Sequence, residues 1–179
     1  INEDGTVTIT QGDAATVFTV TATIACTCGE TSHAHTRDFT VTVKVKPGEL
    51  TSPVSLSFES TDNRTSFSST AQTWVQNNIT FTNLKASSST AVGNYSNPIR
   101  LYSKSSVKVE FIKPMTKIVF NCNNASYATA LNNSTFDKSV ATIAVDGTAV
   151  TVTFVTPTSS FEFTSLSAQI RINSLDVHF

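Results

Sequence analysis

The sequence predicts an all-β protein, a partial sheet followed by an antiparallel β-sandwich that is jelly-roll-like. Three observations predict it. Apolar and hydroxyl-bearing residues alternate with a period of two along most of the chain, as on half-buried antiparallel strands. No stretch sustains the 3.6-residue period of an amphipathic helix. Turn signals recur between the alternating runs. The composition agrees: the 179 residues include 30 Thr, 23 Ser and 13 Asn, and only 14% are charged, well below the roughly 25% usual for soluble domains. Thr is β-branched and fits a pleated surface, while Ser and Asn suit turns. At 39% hydrophobic, the chain has enough apolar side chains for a packed core.

Residues 17–25 (VFTVTATIA) put Phe18, Val20, Ala22 and Ile24 on one face and Thr19, Thr21 and Thr23 on the other. Residues 38–45 (DFTVTVKV) repeat the pattern with Phe39, Val41, Val43 and Val45, so the two runs read as an antiparallel hairpin. Pro47-Gly48 and then Thr51-Ser52-Pro53 interrupt the alternation, which separates a unit over 1–46 from one over 52–179. Two or three strands cannot bury a sandwich face alone. The first unit is therefore part of a domain, or packs on the second.

From Val54 on, strand-like runs cover 54–59, 78–82, 107–112, 116–122, 140–145, 149–155, 160–166 and 169–179. Turns fall at Asn77-Asn78, Lys113-Pro114, Asp146-Gly147 and Pro157–Ser160; Asp146-Gly147 between two alternating runs is the strongest hairpin signal. Residues 125–131 (ASYATAL) are the one helix candidate. In the last run the apolar parity passes from Ile170 and Ile172 to Leu175, Val177 and Phe179, a one-residue slip at Asn173-Ser174 that predicts a β-bulge. Short strands in this number without crossover helices indicate a sandwich or jelly roll.

The residues Gly5, Thr6, Val7, Gly12 and Asp13, the run VFTVTATIA and the close at Phe39–Val43 resemble the C-terminal half of the atypical immunoglobulin-like repeats of bacterial surface proteins. That resemblance implies a partial immunoglobulin-like sheet over residues 1–46. The second unit resembles uncharacterised β-sandwich modules of large proteins secreted by gut bacteria. The match runs through Trp74, Asn78-Ile79-Thr80, Asn83, Lys85-Ala86-Ser87, Tyr95 to Tyr102, and Ile170-Arg171-Ile172 to Val177. It is similar, more loosely, to carbohydrate-binding jelly rolls. The first family carries no known activity, and the second implies sugar binding by analogy of fold alone. Both imply an extracellular or bacterial cell-surface location and neighbouring domains in a larger parent protein.

Twelve basic and 13 acidic residues give a net charge of −1 with no Lys/Arg stripe. Affinity for nucleic acid rests on phosphate neutralisation, so nucleic acid and anionic membrane are excluded as partners. No apolar run approaches the length of a membrane span, which excludes membrane insertion by a helix. The chain opens at Ile1 in mid-pattern without a Met or a signal segment and reads as a piece of a longer protein. Three Cys cannot all pair within one chain, so disulfides do not organise the fold.

The most pointed motif is Cys26-x-Cys28 followed by His33-x-His35. A hairpin turning over Gly29–Ser32 would set Cys28 opposite His33 and Cys26 opposite His35, all on one sheet face. Two thiolates and two imidazoles would then suit a structural zinc with all four positions filled. The other reading is a pair of thiols acting as small hydrophobes beside two solvated histidines.

Catalysis finds little support. Cys122 ends an apolar strand as an inert thiol, and His178 is a surface strand residue. Glu110 and Glu162 alternate with apolar neighbours, Asp146 belongs to a turn, and only Glu59 and Asp62 lie close in sequence. A glycosidase needs two carboxylates flanking one bond, so the chain reads as non-catalytic. The ligand candidates are Trp74, Tyr95, Asn97, Arg100 and Tyr102. Flat aromatic faces with amide or guanidinium donors suit the apolar face and hydroxyl edge of a sugar. Against this, a lone Trp in a sandwich also suits the core. The expected function is an accessory module binding a glycan or cell-surface polysaccharide. The alternative is a structural or adhesive spacer without a small-molecule ligand.

Overall fold

The computed structural model describes the backbone of residues 16–28, 31–43 and 50–179, and side chains throughout the last of these ranges. Strands make up 56% of it, all pairings are antiparallel, and a single short α-helix accompanies them. The chain divides into two compact units, Ile1–Leu50 and Thr51–Phe179.

In the first unit β1 (Thr16–Cys28) and β2 (Thr31–Val43) form a two-stranded sheet. The register sets Phe18 opposite Val41 and Val20 opposite Phe39. The apolar positions of the two strands thus share one face, as their alternation demands.

The second unit is one continuous sheet of nine strands curled into a sandwich. Its elements are β3 (Val54–Ser57), a 3₁₀ turn (Thr61–Asn63), β4 (Arg64–Phe67), β5 (Ala71–Gln76), β6 (Ile79–Leu84), β7 (Ile99–Leu101) and β8 (Ser106–Cys122). After these come α1 (Ala125–Asn132), β9 (Ala141–Asp146), β10 (Ala149–Phe163) and β11 (Ile170–His178). Two long strands make the curl. The first half of β8 pairs with β6 and with the end of β10; its second half pairs with the start of β10 and with β11. One layer is therefore β4-β5-β6 with the first half of β8 and the end of β10. The other is β9 and the remaining halves of β10 and β8, then β11 carrying β3 and β7 along its far edge.

The corner explains a difference from expectation. Lys113-Pro114 and Pro157–Ser160 are bends inside continuous strands, where separate strands were expected. Pairing skips from Thr153–Lys117 to Thr158–Met115 and then to Ser160–Glu110. Pro114 and Pro157 sit where the ladder lapses, which is where a residue without an N–H is tolerated. The buried parity changes just beyond it, between Met115 and Ile118: Val107, Val109, Phe111 and Met115 are buried on odd positions, Ile118, Phe120 and Cys122 on even ones. The exposed Ile112 and Val155 mark the outside of the bend.

The core between the layers is aromatic. Phe58 meets Trp74 and Phe81 edge-on at 5.2 and 4.9 Å, and Phe120 of one layer meets Phe163 of the other at 5.9 Å. Edge-to-face pairs of this kind add roughly 0.5–1.5 kcal/mol each beyond burial. The turn residues act as their chemistry requires. Asn77 and Asn78 hold φ of 51° and 63° between β5 and β6, the left-handed pair of a type I′ hairpin. The β9–β10 turn falls on Gly147-Thr148, one residue later than expected, with Gly147 at φ 57°. Register slips between Ile172 and Ser174, so the bulge stands where the parity change put it. Helix α1 starts at Asn124, whose Oδ1 accepts from the Tyr127 N–H at 3.1 Å.

Candidate functional site

Residues 61–102, in which the sequence shows one strand-like run (78–82), contain strands β4, β5 and β7 as well as β6. This moves Trp74 inside. It lies on β5, fully buried, with Phe81 opposite it on β6, so its ring cannot stack on a ligand. Of the polar residues next to it in sequence, Gln72 is buried with it. Trp74 Nε1–H donates to Gln72 Oε1 at 3.2 Å, and Gln72 Nε2 donates to Asn83 Oδ1 at 3.4 Å. Asn83 Nδ2 donates to Ser105 Oγ at 3.3 Å and to the Ser106 carbonyl at 3.1 Å. Gln72, Asn83, Ser105 and Ser106 are all buried. A buried amide is stable only when its partners are supplied, and here these side chains supply one another. The Arg64 guanidinium closes the edge, 5.5 Å from the Trp74 ring and 4.8 Å from Phe67, with Nη1 buried and unpartnered.

Tyr95, Arg100 and Tyr102 come together on the outside. Ile99 and Leu101 of β7 are fully buried, so the residue between them faces outward. The Arg100 guanidinium lies 3.9 Å from the centre of the Tyr95 ring, which is 40% exposed. Gly93 permits this arrangement. A Cβ there would stand 2.6 Å from Tyr95 Cδ2 and 3.1 Å from Tyr102 Oη, so any larger residue would push the Tyr95 ring away. Tyr102 is half-buried, and its carbonyl accepts from Ser105 Oγ at 2.7 Å, which ties the face to the buried amide chain. Asn97 is exposed at φ 48°; its N–H donates to the Phe58 carbonyl at 2.8 Å, which anchors the loop.

Two residues not singled out as candidates join this face. Arg171 of β11 stands directly opposite Arg100. Its guanidinium lies 5.5 Å from the ring of Tyr127 on α1. The alternation of Ile170, Arg171 and Ile172 already placed Arg171 on a solvent face, but its pairing with Arg100 joins distant segments and carries no local signal.

The hairpin register differs from the one expected. The strands leave only Gly29 and Glu30 between them, and Cys26 stands opposite His33, Cys28 opposite Thr31 and Ile24 opposite His35. Parity still places positions 26, 28, 33 and 35 on one side of the ladder. Cys28 and His35, however, are four residue steps apart along it, about 14 Å at roughly 3.4 Å per residue. Ligands at about 2.1–2.3 Å from one zinc cannot span that, so a four-ligand zinc needs the other register. The side chains of these four residues lie outside the described residues.

Among the described residues, three titratable groups depart from their ordinary values. Burial pushes the Cys122 thiol up to about 12, so it is not a thiolate nucleophile. Asp137 is held below the usual carboxylate range by the hydroxyl and then the N–H of Ser139. Desolvation, and then Lys117, lower His178 against an opposing pull from Asp176. Asp176 accepts from Ser55 and Asn121, and Glu110 pairs with Lys108. An open cleft of about 530 Å³ between the end of α1 and β9 is lined by Asn132, Asn133, Phe136, Lys138 and Ile143 among others. It holds one cationic side chain and no carboxylate.

Fold and surface together define an all-β sandwich with an arginine–tyrosine face. No family model, curated protein or solved structure matches the chain.

Proposed function

We propose that the chain is a non-catalytic accessory module of a larger secreted or bacterial cell-surface protein, and that it binds glycan through the outer face formed by Tyr95, Arg100 and Tyr102. The observation that carries this reading is the exposed Tyr95 ring with the Arg100 guanidinium stacked on it. A guanidinium stacked on a ring keeps its N–H donors in its own plane, pointing outward. The Tyr95 ring on the connection before β7 and the Arg100 donors on that strand match the apolar face and hydroxyl edge of a sugar. Trp74 takes no part, and Asn97 acts as an anchor of the loop.

The test is retention of the protein on immobilised plant, mucin and microbial glycans, with Tyr95→Ala beside the wild type. The reading expects retention that Tyr95→Ala weakens about fivefold or more while the melting temperature barely moves. One observation favours the spacer alternative: burial of Trp74 removes the largest stacking ring from the surface. A spacer would show no retention on any glycan.

A further inference from the structure

We propose that the glycan recognised by this face carries an acidic group, a carboxylate or a sulfate ester, held between Arg100 and Arg171. The inference rests on the glycan-binding reading and names its substrate class.

Arg100 and Arg171 are a directly opposed pair on the β7–β11 ladder. The flanking Ile99, Leu101, Ile170 and Ile172 are all fully buried, so both arginines occupy the outer face. Like charges directly opposite one another on a ladder are destabilising. Such pairs are normally relieved by carboxylates nearby, yet among the described residues the one ion pair is Lys108–Glu110. Neither guanidinium donates a hydrogen bond to a described residue, and Arg171 Nε is sealed from solvent without a partner.

Each arginine lies instead over an aromatic ring, Arg100 at 3.9 Å from the centre of Tyr95 and Arg171 at 5.5 Å from that of Tyr127. A cation–π contact leaves the guanidinium N–H donors unspent, while the tyrosines add apolar walls. Two guanidinium forks side by side suit the oxygens of a carboxylate or sulfate, which guanidinium binds bidentately. An anion there would also cancel the repulsion between the pair. The tyrosine rings on either side offer surfaces for the sugar that bears it.

Affinity electrophoresis of the full chain tests this against polygalacturonate, a sulfated galactan and a neutral galactan. The expected result is at least tenfold tighter retention by an acidic polymer than by the neutral one. Retention by polygalacturonate alone identifies the carboxylate, and by the sulfated galactan alone the sulfate; either, or both, supports the proposal. Arg100→Met and Arg171→Met should each lose about tenfold on the acidic polymer. Lys108→Gln, which removes the same charge from a different strand pair, should lose less than twofold. Should a Met variant melt early, Arg171→Lys keeps the charge without the fork and should still lose several-fold. Equal retention on acidic and neutral polymers overturns the proposal while leaving glycan binding in place, and so does an equal loss in Lys108→Gln. No retention on any polymer overturns both.

Discussion

The interior around Trp74 and the outer face around Tyr95 are made from the same materials: an aromatic ring, amides, hydroxyls and an arginine. They differ in how the polar groups are used. Around Trp74, the indole N–H, Gln72, Asn83 and Ser105 form an unbroken chain of donors and acceptors, so these residues travel into the core as a satisfied set, with Arg64 Nη1 left unpartnered at its edge. Around Tyr95, the Arg100 and Arg171 guanidinium groups lie on the outer face without a described hydrogen-bond partner, and Arg171 Nε is sealed from solvent. An aromatic ring among polar residues is therefore core when its neighbours satisfy one another. It is a binding candidate when they do not.

The largest effect that could break this contrast is Trp74→Ala. Removing a fully buried Trp costs on the order of 3–5 kcal/mol, so the denaturant midpoint of the second unit should fall sharply. Loss of glycan retention without loss of stability would return Trp74 to the surface. Next comes Gln72→Leu. It keeps the bulk but leaves the Trp74 indole N–H and Asn83 Oδ1 unpaired, at about 1–3 kcal/mol. An unchanged melting curve would mean that the amide chain contributes nothing.

On the outer face the balance should reverse. Gly93→Ala places a methyl against the Tyr95 ring; retention should fall at least threefold with stability changed by less than about 1 kcal/mol, since exposed cation–π contacts are worth roughly 0.5–1 kcal/mol. Equal retention would show that the ring position does not matter. The smallest effect is a baseline at β11, where His178 faces Lys117. Its folded value is lowered by desolvation and by that lysine. Any stability it contributes is therefore present above the ordinary value near 6.5 and lost as pH falls through the window below it. Lys117→Gln should move the His178 NMR titration back up toward the ordinary value, with retention untouched.

The chain's own pattern determined the all-β class, the hairpin of β1 and β2, the bulge at Asn173, α1 and the β9–β10 hairpin. Each depends on alternation or turn chemistry within a few residues, and Thr-rich period-2 runs have no other way to bury Phe, Val and Ile. Tertiary structure decided the rest. Residues 71–76 (AQTWVQ) lack apolar alternation because Gln72 is a core residue, and its partner Asn83 is on another strand. The hairpin register around Cys26 and His33 depends on a two-residue connection, and a slip of two leaves every parity unchanged. The facing of Arg100 and Arg171 comes from antiparallel pairing of β7 with a strand far along the chain. No local signal encodes that pairing, because a side chain's partners across a sheet are set by which strands the core brings together.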